Sequence, residues 1–395
     1  MMSNKMYGFL LMNVASVFFL CSNRYCQKNL LLKSKAFKVM RISFVILDIT
    51  RCYGTERTTT LLANKFAEQN HKVSILSVFK EGDRPSFPLN EKVTVDYLIP
   101  EPYTHKASVL SIFVQYIKAI IAIRKYYQHN PQDIIIGQAF LVCFFLWMSG
   151  YARQAFACEH YKYGLYNRPV RAFRNWMYCR FKKVITLTDC YAQEYKRHGV
   201  ETTVIPNMLP FPIVDNIHAG NAKKMISAGR LQSEKGYDLL LQALKPVFTK
   251  YPDWSIDIYG EGDDRVMLEK LRDDLGLLPY VHFLGFSSNI HNAYLEASFY
   301  VMSSRHEGFP MVLLEAIACG LPVVSFDCPN GPAALLKDGA GLLVEPENIQ
   351  ALSDAIIRMI EHPELREAYA KKGLQVASEY TPNAIYRKWQ TLFME

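Results

Sequence analysis

Two glutamates stand eight residues apart in Ser303–Pro322, which reads SSRHEGFPMVLLEAIACGLP. Glu307 falls in a loop after a predicted strand, and Glu315 falls in a helix predicted to begin near Met311. Both carboxylates can therefore face one site at the helix N-terminus, where free backbone N–H groups favour phosphate oxygens and hydroxyls. Carboxylates also accept hydrogen bonds from vicinal hydroxyls. For either glutamate alone the structural alternative stays open: an exposed Glu307, and a Glu315 that complements the helix dipole.

Two cations lie at the start of another predicted helix, in Ser227–Gly236 (SAGRLQSEKG). Arg230 follows a predicted strand and Lys235 opens the helix, so together they could clamp a diphosphate; the alternative is a solvated charged turn. Tyr259–Asp263 (YGEGD) repeats the order of strand, glycine turn and helix, and its turn would let the backbone approach a nucleotide. Leu284–Phe286 ends a further strand, where the backbone could border a base, although such an aromatic is more often core.

Two loops in the first half could contribute to the same kind of site. Tyr53–Arg57 (YGTER) follows the first predicted strand, and Gly54 there would let the backbone approach a phosphate or an acceptor. Ala157–His160 (ACEH) ends another predicted strand, with His160 at the edge where parallel sheets bind ligands. A lone histidine is more often structural, so its place after a strand is what favours a functional role.

These residues need a scaffold, and the sequence predicts alternating strands and helices from Met40 onward. Arg41–Ile49 is a continuous apolar run, typical of a parallel strand buried on both faces. Helices are predicted over about Arg57–Gln69 and Lys106–Tyr127, and the apolar run Phe140–Tyr151 is too short to span a membrane. The further predicted strands are Lys72–Val78, Val93–Leu98, Asp133–Gly137, Gln154–His160, Lys183–Thr188, Thr202–Pro206, Met225–Ala228, Trp254–Tyr259, Val281–Leu284, Tyr300–Ser303, Pro322–Phe326 and Leu342–Val344.

The alternation stops at Asn207–Asn221, which carries prolines and little periodicity, and then restarts. Two successive runs of β-α units predict an α/β fold with two doubly wound, Rossmann-like domains that face each other across a cleft. We expect an extension over residues 1–39, a first domain over 40–208 and a second domain over 209–380. A C-terminal helix over 381–395 is expected to pack back on the first domain.

Composition narrows the class of protein. The chain has 395 residues, of which 50% are hydrophobic and 21% charged, so a disordered chain and a small disulfide scaffold are excluded. Its nine cysteines include no C-x-x-C pair and no cluster with metal-ligand spacing, which indicates reduced thiols. The net charge of +8 combines a basic first half with an acidic second half, and this favours two domains with different partners.

Residues 6–20 form an apolar segment that is shorter than a membrane span. Two interpretations are open. Translation could start at Met40, directly before an ideal first strand, or the segment could be a membrane-surface anchor whose basic residues, Arg24 to Lys38, lie on anionic headgroups. Secretion fits less well because of the many thiols.

The stretches GRLQSEKG, YGEGD, FLGF and HEGFPMVLLE occur in the order and spacing found in family-4 glycosyltransferases, which the chain resembles over about residues 40–395. The resemblance implies the GT-B fold, transfer of a sugar from a nucleotide donor with retention of configuration, and no bound metal or cofactor. It also implies that Arg230 and Lys235 clamp the diphosphate, that Glu307 is the catalytic carboxylate at the sugar and that Glu315 binds the ribose.

The same resemblance implies further donor contacts. The backbone of Phe309, Pro310, Met311 and Val312 would cradle the sugar and phosphate, while Gly285 and Phe286 would border the base. His160 matches a family histidine that contacts the transferred sugar, so it is assigned to the catalytic site as a donor ligand. Gly54 would still meet the donor, although Tyr53 replaces one glycine of the family's G-G-x-E-R loop. Phe326–Gly341 resembles a subset that builds bacterial surface polysaccharides, but Ala334 stands where that subset has glutamate.

A basic and aromatic stretch without acids runs from Tyr161 to Lys183. Apolar residues recur there at helical spacing (Val170, Phe173, Met177 and Phe181) and predict the core face of a helix. The cations Lys162, Arg168, Arg171 and Arg174 are expected to contact a membrane surface or a lipid-diphosphate acceptor, with Arg171 and Arg174 on another face of that helix. A solvated face without a ligand is the alternative, and we expect no nucleic-acid partner.

We therefore expect a retaining hexosyltransferase that moves a hexosyl group from a nucleotide-diphosphate sugar, with UDP preferred, to a glycan or lipid-linked acceptor. The expected setting is bacterial cell-surface polysaccharide synthesis, such as lipopolysaccharide or capsule, in the cytoplasm at the inner face of the cytoplasmic membrane. The alternatives are a GT-B sugar-nucleotide epimerase or hydrolase, which needs no sugar acceptor, and a non-catalytic scaffold that binds nucleotide sugars. A Rossmann dehydrogenase is disfavoured, because the first loop has one glycine where G-x-G-x-x-G has three.

Overall fold

A computed structural model describes residues 39–104, 108–215, 222–287, 289–329, 331–336 and 339–395. The predictions for the apolar and basic segments before residue 39, and for the last part of the stretch Asn207–Asn221, lie outside the described residues. Residues 41–395 form one unit that contains two parallel β-sheets.

The first sheet has seven strands in the order β3-β2-β1-β4-β5-β6-β7, and all neighbours are parallel. Its strands are β1 (Arg41–Ile46), β2 (Lys72–Ser77), β3 (Val93–Tyr97), β4 (Ile134–Gln138), β5 (Ala155–Cys158), β6 (Lys183–Thr186) and β7 (Thr202–Val204). The helices among them are α1 (Gly54–Glu68), α2 (Val109–His129), α3 (Ala139–Met148), α4 (Arg168–Tyr178) and α5 (Asp189–Lys196). Short 3-10 turns cover Ala152–Gln154 and Tyr163–Leu165.

The second sheet has six parallel strands in the order β10-β9-β8-β11-β12-β13. Its strands are β8 (Lys224–Ala228), β9 (Ser255–Tyr259), β10 (Val281–Gly285), β11 (Phe299–Met302), β12 (Val323–Phe326) and β13 (Gly341–Val344). Its helices are α6 (Tyr237–Lys250), α7 (Arg265–Asp274), α8 (Ile290–Glu296), α9 (Met311–Ala318), α10 (Pro332–Leu336), α11 (Ile349–Glu361) and α12 (Pro363–Ser378), and a 3-10 turn covers Ser233–Lys235.

The apolar runs of the sequence became the buried centres of these sheets. β1 is buried from Ile42 to Ile46, because helices cover both faces of a parallel sheet. In each sheet the chain starts in the middle, moves to one edge and then crosses to the other side. The strand ends on either side of that crossover therefore create a crevice, and ligands of doubly wound sheets bind there. The α/β fold with two doubly wound domains, expected from the sequence, is confirmed.

The last helix, α13 (Pro382–Met394), lies against the first domain although it follows the second in sequence. Its rings of Tyr386, Trp389 and Phe393 surround Phe66 of α1 at centroid distances of 5.3, 6.3 and 5.7 Å. The hydroxyl of Tyr386 also lies 2.9 Å from Nε2 of His71. This packing ties the end of the chain to the helix that carries the first loop of the site.

Candidate active site

Three strand-end loops of the second domain are hydrogen-bonded to one another at the carboxyl edge of the sheet. The N–H groups of Gly229 and Leu231 donate to the carbonyls of Tyr259 and Glu261 at 2.9 and 3.0 Å. The N–H of Gly260 donates to the carbonyl of Gly285 at 2.8 Å. The segments GRLQSEKG, YGEGD and FLGF, which lie far apart in sequence, thus form one backbone network.

Two glycines make this close packing possible. Gly260 has φ +141°, and a Cβ there would lie 1.9 Å from the Gly229 carbonyl oxygen. Gly236 adopts the left-handed conformation with φ +63°, and a Cβ there would lie 2.1 Å from the Ser303 carbonyl oxygen. Only glycine fits at either position. In the structure, Gly260 of the YGEGD turn lets the neighbouring Gly229 loop approach closely, and the approach of a nucleotide to this turn stays a prediction.

Lys235 and Glu307 form an ion pair at this edge. Nζ of Lys235 lies 2.7 Å from Oε1 of Glu307, and the Ser304 hydroxyl donates to the same oxygen at 2.7 Å. The Glu307 side chain is only 8% exposed, against 21% for Lys235. The structure therefore joins two residues that the sequence placed in separate motifs, and it holds the carboxylate in one orientation.

Arg305 braces the loop that carries Glu307, and the sequence analysis missed it. Its guanidinium donates to both carboxylate oxygens of Asp238 at 2.7 and 2.8 Å and to the Ser233 carbonyl at 2.7 Å. Hydrogen bonds from Arg305 lower the pKa of Asp238. This bidentate pair fixes α6 to the Glu307 loop. No local signal marks it, because the two residues belong to different βα units.

Arg230 is exposed and faces the first domain. Its guanidinium carbon lies 6.0 Å from the centroid of the Tyr53 ring, which itself is 56% exposed. Arg230 makes no ion pair with any residue that the structure describes. Lys235, in contrast, is already paired within the protein. Of the two cations predicted to clamp a diphosphate, Arg230 is thus the one whose charge is free to meet an anion.

Glu315 lies inside α9 and pairs across the two domains with Arg57 of α1. Oε1 of Glu315 is 2.8 Å from an Nη of Arg57, and the glutamate side chain is 1% exposed. Burial raises the pKa of Glu315, and the charge of Arg57 opposes this rise. The pair links α1 of the first domain to α9 of the second domain, the helix that follows the Glu307 loop. The predicted ribose contact of Glu315 would therefore compete with Arg57.

His160 lies two residues after the end of β5 at Cys158, whereas the sequence predicted that the strand would run to His160 itself. Its Nε2 lies 2.5 Å from Oε1 of Gln138, at the end of the neighbouring strand β4. Because an amide oxygen accepts, Nε2 carries the proton and Nδ1 is left as an acceptor. Burial lowers the pKa of His160 to about 4, so the ring is neutral at neutral pH. A neutral histidine of this kind can accept a hydrogen bond from a hydroxyl.

His160 and Glu307 lie on facing loops that meet at the backbone. A Cβ at Gly308 would come within 3.2 Å of the His160 carbonyl oxygen. The hydroxyl of Tyr191, in α5, also donates to the Glu307 carbonyl at 3.4 Å. The two predicted catalytic residues thus approach one another from opposite domains, although they are far apart in sequence.

The remaining predicted donor residues lie at or next to strand ends and helix starts of the two domains. Gly54 is exposed as the first residue of α1, and Phe286 is 72% exposed after the buried Gly285. Pro310 is buried as the N-cap of α9, and Met311 and Val312 open that helix half-buried. The Phe309 ring, also half-buried, lies 5.8 Å from the ring of Tyr380. Their roles toward a donor remain predictions.

Glu56 is a buried carboxyl in the first turn of α1 that the sequence analysis did not single out. It is 6% exposed, close to the fully buried Asp48, which lies two residues after β1. Burial raises its pKa to about 7, with backbone N–H groups and Arg51 opposing the rise and Asp48 adding to it. Glu56 is the glutamate of the family's G-G-x-E-R pattern, so the sequence marks its position, but only the fold shows that it is buried.

The prediction that Arg174 lies on an exposed basic face is wrong. Its side chain is fully buried, 3.5 Å from the Glu159 carboxylate and near the rings of Tyr163, Tyr166 and Tyr195. Phe173, assigned to the core face, is instead 37% exposed. Helix α4 therefore turns a different face to the core than predicted. The buried carboxylate of Glu159 and tyrosines on other elements surround the Arg174 guanidinium and replace its contacts with water.

The other three predicted surface cations are accessible. Arg168 is exposed, Lys162 is half-buried, and the half-buried Arg171 lies 5.7 Å from the Tyr163 ring. No helix among the described residues is both long and apolar enough to cross a membrane.

This arrangement of two facing doubly wound domains, with paired charges at the strand ends, defines the GT-B class of glycosyltransferase. Residues 53–210 match the family model described as Glycosyltransferase Family 4, and residues 213–376 match that described as Glycosyl transferases group 1. The chain belongs to the family-4-like glycosyltransferases, and it is an enzyme of the hexosyltransferase class.

Relatives and solved structures agree with this assignment. The chain is 28% identical to an uncharacterized glycosyltransferase of Haemophilus influenzae, covering 89% of this chain and 99% of the relative. It is 25% identical to the amylovoran biosynthesis glycosyltransferase AmsD of Erwinia amylovora, again over 89% and 99% of the two chains. The crystal structure of Anabaena HepE in complex with UDP and glucose has a TM-score of 0.72 at 19% identity, covering 90% of this chain and 100% of that one. This structural likeness establishes the fold.

Proposed function

We propose that the enzyme transfers a hexosyl group from a UDP-sugar, with retention of configuration, to a lipid-linked glycan in the synthesis of a bacterial cell-surface polysaccharide. The observation that carries the proposal is the Lys235–Glu307 pair of 2.7 Å, set beside the exposed Arg230 at the carboxyl edge of the second sheet. AmsD, named for amylovoran biosynthesis, and HepE, crystallised with UDP and glucose, support the setting and the donor.

The charges suit a leaving nucleoside diphosphate. When the bond between the anomeric carbon and the β-phosphate oxygen breaks, negative charge grows on the phosphates. Arg230, Lys235 and the backbone N–H groups at the N-terminus of α9 would stabilise this charge, a task that a metal ion performs in other transferases. We therefore propose that transfer needs no bound metal.

Glu307 and His160 would act at the sugar. Glu307 is oriented by Lys235 and Ser304, so its carboxylate can accept hydrogen bonds from sugar hydroxyls. His160, neutral because burial lowers its pKa to about 4, can accept another from the opposite domain. In retention by front-face attack, the acceptor oxygen bonds to the carbon on the side that the phosphate leaves, and its proton passes to the departing phosphate oxygen.

The acceptor side is proposed from the first domain. Arg168 is exposed and Arg171 partly so, near the edge that carries His160. Cations in this place suit a lipid diphosphate or an anionic membrane, so we propose peripheral association with the cytoplasmic face of the membrane.

Ligand-induced thermal stabilisation tests the donor site. UDP, GDP, ADP and CMP are each added to the full chain, to Lys235→Ala and to Lys245→Ala, a matched control on an exposed turn of α6. At about 100 times the dissociation constant, the right nucleotide should add about 2.7 kcal/mol to the free energy of unfolding. We expect this gain with UDP in the wild type and in Lys245→Ala, and its loss in Lys235→Ala.

No gain with any nucleotide would refute the donor site. A gain with UDP followed by sugar turnover that does not depend on an added acceptor would favour an epimerase or hydrolase instead.

A further inference from the structure

Helix α2 (Val109–His129) presents an uncovered apolar stripe. Five large apolar side chains are 41–72% exposed, and they recur at the spacing of one helix face: Leu110, Phe113, Val114, Ile117 and Ile121. The opposite face is equally apolar but is packed, with Ala119, Ile123 and Tyr127 in the core of the first domain. The helix therefore has more apolar surface than the domain can bury.

The charges on this helix are all positive. It contains Lys118, Arg124 and Lys125 and no aspartate or glutamate. Lys118 lies 3.8 Å from Glu101, whereas Arg124 and Lys125 are exposed. These two come three and four residues after Ile121, so the apolar stripe continues directly into a pair of cations at the C-terminal end of the helix.

An aromatic layer on α3 and α4 adjoins α2, since the Phe144 ring of α3 lies 6.2 Å from both Tyr116 of α2 and Phe173 of α4. The Trp147 ring, on α3, lies 5.8 Å from Phe173 and 5.5 Å from Trp176 on α4. Phe173 and Trp176 are 37% and 48% exposed, and the guanidinium carbon of Arg180 lies 3.4 Å from the Trp176 ring centroid. Tryptophans with cations beside them are the composition that proteins place at the level of lipid headgroups.

The topology sets this surface next to the cleft. All strands of the first sheet run in the same direction, so α2, which connects β3 to β4, must run antiparallel to them. It therefore starts at the carboxyl edge of the sheet, where His160 follows β5. Helix α4 starts at that edge as well, with Arg168 in its first turn. The apolar stripe thus begins beside the cleft and ends at the cations Arg124 and Lys125.

We propose that this surface, formed by the exposed face of α2 and the exposed aromatics of α4, docks on the anionic surface of a lipid bilayer. The apolar stripe would enter the boundary between headgroups and acyl chains, with the flanking cations on lipid phosphates. The inference deepens the proposed function and rests on it, because a lipid-linked acceptor is the reason for the enzyme to meet a membrane.

Charge decides between a bilayer and a second copy of the chain. A two-fold contact would pair this surface with an identical one, which offers further cations and no acid on α2 to offset them. A bilayer containing anionic lipid supplies both the apolar layer and the opposite charge.

Vesicle flotation with the full chain tests this inference. Phosphatidylcholine vesicles with and without phosphatidylglycerol are mixed with the wild type and with the triple variant Phe113→Ser, Ile117→Ser, Ile121→Ser. The matched control is Val266→Ser, Met267→Ser, Leu278→Ser, which removes equally exposed apolar side chains from the second domain. Stabilisation by UDP and the sedimentation of each protein without lipid are measured in parallel.

We expect the wild type and the control to float with the anionic vesicles and to bind neutral vesicles less. The triple variant should lose at least about tenfold in partition coefficient, since three apolar side chains no longer leave water, and should keep its stabilisation by UDP. Flotation of the triple variant at the wild-type level would overturn the inference, because binding would then come from elsewhere in the chain. A wild-type dimer that the triple variant converts to a monomer would overturn it in favour of a second copy. If UDP fails to stabilise any of the proteins while the flotation pattern holds, the donor proposal fails and the docking surface stands.

Discussion

In the second domain, charged side chains stand at the strand ends and face the cleft, whereas in the first domain a complete ion pair is sealed in the core and apolar side chains face outward. Lys235 and Glu307 keep 21% and 8% of their side chains exposed, but Arg174 and Glu159 keep 0% and 2%. Ile117 and Phe113 of the first domain, in contrast, are 41% and 61% exposed. Residue type alone therefore gives the wrong location for these side chains of the first domain.

The difference follows from what each domain must face. The second domain is proposed to bind a small anion, so its charges need only line a crevice at the ends of parallel strands. The first domain is proposed to meet an extended lipid surface, which requires exposed apolar area. Its buried charges lie just beneath the strand end that carries His160, where Tyr178 donates to Glu159 at 2.5 Å.

The largest effect is expected from a substitution that breaks the buried Arg174–Glu159 pair of the first domain. Arg174→Leu should lower the free energy of unfolding by about 3–5 kcal/mol, because it leaves the Glu159 carboxylate buried without its cation. Arg171→Leu on the same helix, where the side chain is half-buried, should change it by no more than about 0.5 kcal/mol. Urea unfolding of both variants measures the difference.

The double variant Arg174→Leu, Glu159→Gln serves as the control for that result. It should recover much of the loss, since no charge is then left in the core. Equal stability of Arg174→Leu and Arg171→Leu would contradict the contrast between the two domains.

In the second domain the corresponding change should act on turnover rather than on folding. Lys235→Ala should reduce kcat for sugar transfer by about 10²–10³-fold, the usual cost of removing one group that stabilises developing charge. Lys245→Ala should leave kcat unchanged. The measurement is the release of UDP in the presence of donor and acceptor, together with thermal unfolding of each variant. A Lys235→Ala protein that turns over normally would remove the clamp from the mechanism.

Glu56 adds a smaller, pH-dependent test of the first domain. Its folded pKa of about 7 lies above the usual 4.5, so the unfolded chain releases this proton first as pH rises. The free energy of unfolding should therefore fall between about pH 4.5 and pH 7, by at most about 3 kcal/mol, and level off above. Glu56→Gln should flatten this part of the profile, because its amide does not titrate.

Urea unfolding of wild type and Glu56→Gln across that pH range gives the comparison. Glu261, more than half exposed in the second domain, supplies the matched variant Glu261→Gln, whose profile should follow the wild type. Parallel profiles for all three proteins would show that Glu56 is solvated rather than buried.

Much of the scaffold could be predicted because its signals are local. Continuous apolar runs such as Arg41–Ile49 produced buried parallel strands, and each predicted strand is present with ends shifted by a few residues. The motifs of the second domain were found for the same reason: in a βα unit, the residues after a strand lie at the carboxyl edge whatever the rest of the chain does. Because Arg230, Lys235 and Glu307 all follow predicted strands, the sequence predicted that they lie at one edge of the second sheet.

Other features depended on contacts between distant parts of the chain. Periodicity identified α4 as amphipathic but assigned Arg174 to solvent, because Glu159 and Tyr195, which make its burial favourable, come from other elements. Likewise, α2 has apolar residues on two opposite faces, so its sequence cannot tell which of them is packed.

The sequence by itself determined the alternation of strands and helices, the two-domain order and the loops in which the chemistry lies, since each is encoded within a few neighbouring residues. Only the tertiary structure decided that Lys235 pairs with Glu307, that Arg57 reaches Glu315 across the cleft and that the stripe of α2 stays uncovered. The physical reason is that an ion pair or a buried face depends on which surfaces meet, and these surfaces come from segments far apart in the chain.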